Sequence, residues 1–227
     1  MLSYDKTPAP TYSSVRSVPA SLSSPTLPPA TMGKAISRPV QPVHRHLFIV
    51  TGPAGCGKSS VAQYLAKSQD FPYIEGDEFH PVSNVEKMAA GIPLNDGDRW
   101  DWLIVLREEA VKHLESGAPG VVVTCSALKK KYRDVIRLAS LNDHNVIVHF
   151  IYLRASEELL MSRVRARQNH YMKDSMVRSQ FEALEEPTEK EQDVLTVDVS
   201  GTLADVEKLA LEAVSQVMAN DSAPSMW

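Results

Sequence analysis

The sequence predicts a three-layer α/β fold in which a five-stranded parallel sheet carries helices on both faces. Five short apolar runs alternate with segments of about 10 to 18 residues whose spacing of apolar residues suits helices. The runs HLFIVT, FPYIE, GVVVTC, NVIVHFIYL and DVLTVDV occupy residues 46–51, 71–75, 120–125, 145–153 and 193–199. Strands that are apolar along their whole length are typical of parallel sheets that helices cover on both sides.

The first 45 residues differ in composition from the rest of the chain. They hold eight of the fifteen prolines, eight serines and one acidic residue, Asp5, without helical or strand periodicity. Such a segment cannot bury enough apolar surface to offset its chain entropy, so residues 1–45 are predicted to be a disordered extension. We expect one folded domain at residues 46–219, a flexible tail at 220–227 and a cytoplasmic location. Mitochondrial targeting by the extension is the less favoured alternative, because its prolines would break the amphipathic helix of a transit peptide.

Composition and charge argue against several function classes. No apolar run is long enough to span a membrane, and residues 46–227 carry a net charge of −8, which disfavours nucleic acid as a partner. Cys56 and Cys125 are too few for a disulfide framework and lack a metal-type spacing. We therefore expect a soluble intracellular protein that holds any anionic ligand through local groups.

Local signals predict where several helices begin and end. Ser83 with Glu86 forms a capping-box pattern before VEKMAA, and Gly91 can close that helix in the left-handed conformation. Gly117 is predicted to end the next helix, and Thr202 to begin the last one. Apolar residues that recur in steps of four before Gly117 are predicted to pack in the core, namely Trp102, Leu106, Ala110 and Leu114.

A glycine-rich loop directly follows the first strand. The segment GPAGCGKSS fits the motif G-x-x-x-x-G-K-[ST], in which glycines let backbone N–H groups close around a phosphate at a helix N-terminus. Lys58 is predicted to reach the outer phosphates of ATP, and the Ser59 hydroxyl to bind Mg²⁺. The predicted ATP-binding residues of the loop are Gly52, Pro53, Ala54, Gly55, Cys56, Gly57, Lys58, Ser59 and Ser60.

The rest of the sequence narrows the class of nucleotide-binding protein. It contains no N-K-x-D base-reading tetrad of a GTPase, and its length is too short for a motor or helicase module. A small-molecule kinase fits, with an acceptor pocket after the second strand and an arginine-bearing lid. Cys56 is interpreted as a small residue that fits the loop, and an oxidisable thiol is the less favoured alternative.

Polar side chains follow the second strand, at the sheet edge where open parallel sheets bind ligands. Asp77 is predicted to accept the proton of the acceptor hydroxyl, and Glu75 to hold magnesium through water, although either carboxylate could orient the ion. Amide, imidazole and carboxylate groups suit hydroxyls, and cations suit a carboxylate, so the set favours a polyhydroxylated anion. The predicted acceptor-binding residues of this stretch are Asp77, His80, Asn84, Lys87, Asp98 and Arg99.

Four segments resemble the gluconate kinases, a family of small P-loop kinases. They are GPAGCGKS, GDEFHPVSNVEKMAAGIPLNDGDR, CSALKKKYRDVIR and SQFEALEEP, in the order and spacing of the family over about residues 46–219. The resemblance implies transfer of the γ-phosphate of ATP to the 6-hydroxyl of D-gluconate, with Mg²⁺ as cofactor. The product, 6-phospho-D-gluconate, would feed the pentose phosphate pathway. The resemblance also implies a homodimer, whereas the charge and the lack of a long apolar run predict no nucleic-acid and no membrane partner.

Two later regions complete the predicted site. After the fourth strand, Arg163 and Arg167 share one helix face and are predicted to contact phosphates in a lid that excludes water. Both arginines, with His170, match the pattern of the gluconate kinases, which assigns His170 to the substrate. The loop after the third strand is placed against the acceptor by the same resemblance, through Ser126, Lys129 and Arg133.

Two other functions stay open at this point. The polar pocket alone would also suit a kinase for another small polyol or acid, such as shikimate. The chain could also be a nucleotide-binding regulator without turnover, although intact Lys58, Ser59 and Asp77 argue against that class. Catalysis by Lys58, Asp77, Arg163 and Arg167 would rest on positioning and charge neutralisation.

Overall fold

The computed structural model describes residues 44–166 and 174–222, apart from the side chains of residues 174–176. The predicted five-stranded parallel sheet is confirmed, with the strand order β2-β3-β1-β4-β5. The strands are β1 (Arg45–Thr51), β2 (Tyr73–Ile74), β3 (Gly120–Thr124), β4 (Val146–Arg154) and β5 (Val194–Asp198). All five strands therefore end at one edge of the sheet, and the central strand β1 leads into the glycine-rich loop.

Helices follow the strands in alternation, as the sequence predicts for this fold. They are α1 (Lys58–Gln69), α2 (Val82–Ala89), α3 (Trp100–Glu115), α4 (Lys130–Asn142), α5 (Glu157–Ala166), α6 (Asp174–Ala183) and α7 (Leu203–Ser222). A 3₁₀ turn, Gly76–Phe79, lies between β2 and α2. No helix of the described ranges is long and apolar enough to cross a membrane. Helix α7 extends three residues past the boundary predicted at residue 219.

Alternating side chains of the strands build two cores. In β1, Phe48 and Val50 face the core that contains α1, α5, α6 and α7, whereas Leu47 and Ile49 face α3 and α4. All four side chains are at most 1% exposed, and burial of side chains this size contributes about 1.5 to 3 kcal/mol each. The predicted core positions of α3 are confirmed, since Trp102, Leu106, Ala110 and Leu114 are buried. The loops at the sheet edge therefore start from a rigid platform.

Three of the predicted helix boundaries are confirmed. Gly91 and Gly117 follow α2 and α3 with φ of 75° and 103°, the left-handed region that glycine adopts without strain. Thr202 precedes α7, and its Oγ1 accepts the N–H of Asp205 at 3.3 Å, while its own N–H donates to Asp205 Oδ2 at 3.0 Å. Thr202 therefore caps the helix as expected.

The capping box predicted at Ser83 is wrong. Helix α2 begins at Val82, so Ser83 already lies inside its first turn. The extended backbone of Pro81 precedes the helix, and its carbonyl oxygen accepts the N–H of Asn84 at 2.9 Å. A proline that begins the turn leaves no capping position for the serine two residues later.

A histidine cluster joins the end of α7 to the start of β1, at the sheet edge opposite the glycine-rich loop. His44 Nδ1 lies 2.5 Å from Asp221 Oδ1, and His46 Nδ1 lies 3.1 Å from His149 Nε2. Burial lowers the pKa of His46 and lowers the pKa of His149 to about 4. His46 and His149 therefore pack within the fold in their neutral form.

Candidate active site

The phosphate loop connects β1 to α1 across the centre of the sheet edge. Gly52, Gly55 and Gly57 have φ of 141°, 86° and 100°, so the path of the loop depends on glycine. Lys58, the first residue of α1, donates from Nζ to the carbonyl oxygens of Gly52 at 3.0 Å and Pro53 at 3.1 Å. Its ammonium group therefore lies over the start of the loop.

The phosphate loop packs beneath α5 and α6. A Cβ added at Gly55 would lie 3.1 Å from Val164 Cγ2 on α5. Cys56 is 2% exposed, and burial raises the pKa of its thiol, which favours the packing interpretation over an oxidisable thiol. The N–H of Ala54 donates to Gln180 Oε1 on α6 at 2.7 Å. Sequence reasoning missed Gln180 as a site residue although it lies in the family-like segment SQFEALEEP, because residue type alone does not show that its amide meets the phosphate loop.

Glu75 lies at the end of β2, beside the first turn of α1. Tyr73 donates its hydroxyl to Glu75 Oε2 at 2.5 Å, and Thr124 Oγ1 donates to Oε1. Burial alone would raise the pKa of Glu75, but hydrogen bonds from Thr124, Tyr73 and Ser59 outweigh it and lower the pKa. The structure thus brings an ionised Glu75 next to Ser59, the other residue predicted to hold the metal.

The 3₁₀ turn that carries Asp77 presses against the end of β3. A Cβ added at Gly76 would lie 2.0 Å from the carbonyl oxygen of Thr124, so this contact requires glycine. The N–H of Gly76 donates to Thr124 Oγ1 at 2.9 Å, and Trp102 Nε1 donates to the Gly76 carbonyl oxygen at 2.8 Å. Asp77, which is exposed, is therefore carried on a tightly fixed backbone.

His80 is held in its neutral form against α3. Its ring stacks on Trp102 with a centroid distance of 4.0 Å. Burial lowers the pKa of His80 to about 4, so its imidazole can both donate to and accept from a hydroxyl group at neutral pH. Asn84 is 2% exposed, and its amide nitrogen donates to the Asp98 carbonyl oxygen at 2.6 Å. Asn84 therefore supports the loop from behind, in place of the acceptor contact predicted for it.

Lys87 and Asp98, both predicted to bind the acceptor, form an ion pair with Nζ 2.5 Å from Oδ1. The N–H of Asn95 donates to Asp98 Oδ2 at 3.0 Å, and the N–H of Asp98 donates to Asn95 Oδ1 at the same distance. Hydrogen bonds from Lys87 and the Asn95 N–H lower the pKa of Asp98. The two predicted ligands therefore stabilise the loop between α2 and α3.

Asp96, which sequence reasoning missed, neutralises the cations at the start of α4. Lys129 Nζ donates to Asp96 Oδ1 at 2.9 Å, and Lys131 and the Tyr132 hydroxyl also donate to this carboxylate. Hydrogen bonds from Lys131, Tyr132 and Lys129 lower its pKa. Lys129 is thus paired within the protein, and its predicted contact with the acceptor stays a prediction. The only sequence signal was an acid within NDGDR, a segment already assigned to the pocket.

Arg99 differs from these cations, because none of the described residues offers it a carboxylate partner. Its guanidinium carbon lies 5.6 Å from the centroid of the Tyr132 ring. After burial, the charge of Arg99 also helps to lower the pKa of His80, so the two groups are close. A guanidinium group held over an aromatic ring can bind the carboxylate of an anionic acceptor.

Arg133 is buried, and its predicted contact with the acceptor is wrong. Its side chain is 1% exposed, and Nε and Nη2 donate to the two oxygens of Glu191 at 2.8 and 2.7 Å. Nη1 donates to the carbonyl oxygens of Ala127 and Glu185, each at 3.2 Å. Hydrogen bonds from Arg133 are the main cause that lowers the pKa of Glu191 to about 2. Arg133 therefore joins the loop after β3 to the chain after α6.

Three segments with charged groups border the end of β3. Burial raises the pKa of the Cys125 thiol to about 12; the charge of Asp77 raises it further, whereas those of Arg99 and Lys58 lower it. Asp77 lies after β2, Arg99 before α3 and Lys58 after β1, and β2 and β1 are the two neighbours of β3 in the sheet. Ser126, the next residue, lies at the same edge, half-buried.

The arginine-rich helix α5 lies on the other side of the phosphate loop. Arg163 Nη2 donates to the carbonyl oxygens of Val199 at 2.7 Å and Gly201 at 3.3 Å, after β5. Arg163 is therefore attached to the β5 end, and its phosphate contact stays a prediction. Arg167 and His170 lie outside the described residues.

A cleft of about 320 Å³ opens at the ends of β4 and β5. Its lining residues are Arg154, Ala155, Ser156, Leu159, Glu186, Asp198 and Ser200. The strand order places β2 and β3 on one side of β1, and β4 and β5 on the other. We call the ends of β2 and β3 the acceptor side, and the phosphate loop with the ends of β4 and β5 the nucleotide side.

Comparisons with known proteins agree with this arrangement. A family described as an AAA domain matches residues 47–190. A probable gluconokinase of Schizosaccharomyces pombe is 43% identical over 194 residues, which cover 82% of this chain and 96% of that protein. The thermoresistant gluconokinase of Escherichia coli is 39% identical over 171 residues, which cover 75% of this chain and 94% of that protein.

A crystal structure of a gluconokinase from Sinorhizobium meliloti superposes with a TM-score of 0.68 at 37% identity, covering 79% of this chain and 97% of that one. The similarity thus spans both the nucleotide side and the acceptor side. The chain belongs to the gluconokinase family of ATP-dependent small-molecule kinases.

Proposed function

We propose that the protein transfers the γ-phosphate of ATP to the 6-hydroxyl of D-gluconate, giving 6-phospho-D-gluconate and ADP. The observation that carries the proposal is that the phosphate loop with Lys58, the 3₁₀ turn with Asp77 and the Arg99 side chain beside Tyr132 all follow strands at one edge of the sheet. A phosphate-binding cation, a carboxylate that can accept a proton and a cation for the acceptor carboxylate thereby lie at the same edge. Phosphoryl transfer needs these groups more than it needs covalent chemistry from the protein.

The phosphates of ATP would bind along the phosphate loop. Lys58 Nζ donates to two loop carbonyl oxygens, and a hydrogen bond to a charged phosphate oxygen is stronger than one to a neutral carbonyl oxygen. Phosphate binding would therefore draw the ammonium group from these carbonyls. The cleft beyond Arg154, at the ends of β4 and β5, would take the nucleoside part.

Mg²⁺ fits the groups beside the phosphate loop. Ser59 is exposed at the first turn of α1, and Glu75 is kept ionised next to it. Within residues 44–166 and 174–222, no three His, Cys, Asp or Glu side chains form a metal cluster. Mg²⁺ at phosphates binds through few protein groups and keeps several waters, so a serine hydroxyl and one carboxylate are sufficient partners. When bound, Mg²⁺ would neutralise charge on the β- and γ-phosphates.

D-Gluconate would bind on the acceptor side. Arg99 would take its carboxylate, because the other cations there are paired inside the protein. Neutral His80 would donate to or accept from its hydroxyl groups. Asp77 would orient the 6-hydroxyl and take its proton as the oxygen attacks the γ-phosphate, while Lys58 stabilises the charge that develops on the phosphoryl group.

The proposal is tested by ADP release from Mg-ATP by the full-length protein. D-Gluconate is compared with shikimate, D-glucose, D-galactonate and no acceptor, and the product is identified by mass and by the position of its phosphate. Release that depends on D-gluconate, with the phosphate at position 6, supports the proposal. Stimulation by another acceptor reassigns the substrate, and nucleotide binding without any stimulated release would indicate a regulator.

A further inference from the structure

Gln180 contacts the phosphate loop with one end of its amide group. The N–H of Ala54 donates to Gln180 Oε1 at 2.7 Å. Because only the oxygen of an amide accepts hydrogen bonds, this contact fixes which end faces the loop. In the described part of the chain, no group accepts a hydrogen bond from Nε2. The side chain thus presents a neutral NH₂ donor beside the phosphate loop.

The position of Gln180 is set by the core beneath α6. Val177, one turn earlier on the helix, is fully buried in the same core cluster as Cys56 and Val164, and Phe181 packs against that cluster. The cluster includes residues of both the phosphate loop and α5, so α6 is fixed relative to the loop. Gln180 therefore reaches Ala54 from a rigid element.

The neighbours of Ala54 indicate which phosphate Gln180 faces. Lys58 Nζ lies on the carbonyl oxygens of Gly52 and Pro53, and the lysine of this motif serves the β- and γ-phosphates. Ala54 directly follows Pro53 in the loop. The NH₂ group of Gln180 is therefore near the end of the loop that holds the outer phosphates.

We propose that Gln180 is a catalytic residue whose Nε2 donates to the γ-phosphoryl group of bound ATP while its Oε1 holds the Ala54 N–H. The proposal rests on ATP as the phosphoryl donor in the function proposed above. A preorganised donor aimed at the transferred group stabilises the charge that spreads over its oxygens during transfer. Fixing Oε1 to the loop keeps the donor in place, so little reorganisation is needed when ATP binds.

Both contacts require an amide, because one end of its side chain accepts the Ala54 N–H while the other end donates to the phosphate. A glutamate at position 180 could still accept the Ala54 N–H, but it would offer no donor and would repel the phosphate. A methionine of similar length would remove both contacts. The neighbouring Glu182 is exposed on the same helix and has no hydrogen bond within the described residues, so it provides a matched control.

The experiment measures dissociation constants for Mg-ADP and for a non-hydrolysable Mg-ATP analogue by calorimetry. It compares the full-length protein with Gln180→Glu, Gln180→Met and Glu182→Gln, and melting midpoints report whether each variant folds. We expect Gln180→Met to weaken the ATP analogue about 10-fold or more relative to ADP, as for a lost hydrogen bond to a charged group. Gln180→Glu should weaken the ATP analogue further while ADP stays near its wild-type affinity, and Glu182→Gln should change neither.

Equal losses for the two nucleotides would show that Gln180 only shapes the loop, and would overturn the proposal. Unchanged affinities in both Gln180 variants would overturn it as well. The two variants remove the donor in different ways, so one that fails to fold leaves the other as the test. Because binding is measured without an acceptor, failure of D-gluconate as substrate would not affect this result.

Discussion

The nucleotide side and the acceptor side of the sheet edge are built from different kinds of groups. The phosphate loop is a continuous backbone segment whose shape depends on Gly52, Gly55 and Gly57, all at positive φ. The acceptor side is built from side chains of the 3₁₀ turn, the loop after α2, the end of β3 and the start of α4. Its character therefore depends on which charges neutralise one another across these segments.

Internal pairing decides which cations of the acceptor side can bind an anion. A lysine or arginine that forms an ion pair with a carboxylate of the protein is less available to bind an anionic substrate. The pairs are Lys129 with Asp96, Lys87 with Asp98 and Arg133 with Glu191. Arg99 is left with an aromatic ring as its neighbour, and it becomes the cation best suited to a substrate carboxylate. The ion pairs within the acceptor side therefore determine what it can bind as much as its residue types do.

The largest effect is expected on the nucleotide side, for Lys58→Ala. Removing the ammonium group takes away charge stabilisation of the phosphoryl group, so kcat for D-gluconate-dependent ADP release should fall on the order of 10³-fold. The melting midpoint should stay close to that of the wild type, because the ammonium group is not part of either core. Lys67→Ala, at an exposed position of the same helix, is the control and should keep full activity. Retention of a tenth of the activity in Lys58→Ala would contradict the assignment.

The next effect is expected on the acceptor side, for Asp77→Asn. The variant should bind ATP normally but turn over at least about 100-fold more slowly, because the amide cannot take the proton of the acceptor hydroxyl. Turnover and nucleotide affinity are measured on the same preparation. Glu78→Gln, the exposed neighbour in the 3₁₀ turn, should leave both unchanged. Near-normal turnover in Asp77→Asn would remove Asp77 from its role.

Most of the fold could be predicted because its signals are local. Apolar runs identified the five strands, and Gly91 and Gly117 marked helix ends through the backbone conformation that glycine allows. The wrong prediction of a capping box at Ser83 also comes from a local signal. Pro81, two residues earlier, is a second helix-start signal, and the helix begins after it. Where two local signals conflict, the sequence alone does not decide between them.

The sequence predicted those site residues whose role depends on a short segment, and it failed for residues whose role depends on a partner far away in the chain. The phosphate loop needs no distant partner, whereas the role of Arg133 depends on Glu191, which lies 58 residues away in the chain. Asp96 likewise meets Lys129 across a gap of 33 residues, and Gln180 meets Ala54 across 126. Contacts at such separations follow from the tertiary fold, so residue type and spacing could not reveal them.

Substitutions of two arginines of the acceptor side should affect different properties, namely substrate binding for Arg99 and stability for Arg133. Arg99→Met should raise KM for D-gluconate roughly 10- to 100-fold, as for loss of a charged hydrogen bond, without changing the free energy of unfolding. Arg133→Met should instead lower the free energy of unfolding by about 3 kcal/mol, because Glu191 would lose its bidentate partner in a buried site and keep only Arg137. Steady-state kinetics and urea unfolding are measured on both variants. An increased KM in Arg133→Met without loss of stability would reverse the two assignments.

The smallest effect is expected in the pH dependence of stability. It allows a comparison of buried histidines at the two opposite edges of the sheet. Burial lowers the pKa of His80 on the acceptor side and of His149 at the opposite edge to about 4, from a usual value of 6.5. Between these values the unfolded chain binds more protons than the folded chain, so the free energy of unfolding falls as the pH decreases from about 6.5 to 4. The pKa of the paired Glu191 is lowered to about 2, so its contribution is lost mainly at lower pH.

Urea midpoints at pH 7 and pH 5 test this difference between histidines and carboxylates. The midpoint of the wild type should be lower at pH 5, and His149→Leu should make the decrease smaller, because one buried imidazole no longer resists protonation. His113→Leu, which replaces a more exposed histidine of α3, should keep the wild-type decrease. If His149→Leu and His113→Leu gave the same decrease as the wild type, burial of His149 would not be the cause. The acid sensitivity would then have to come from the other two buried histidines, His46 at the same edge or His80 on the acceptor side, where burial keeps the imidazole neutral for the substrate.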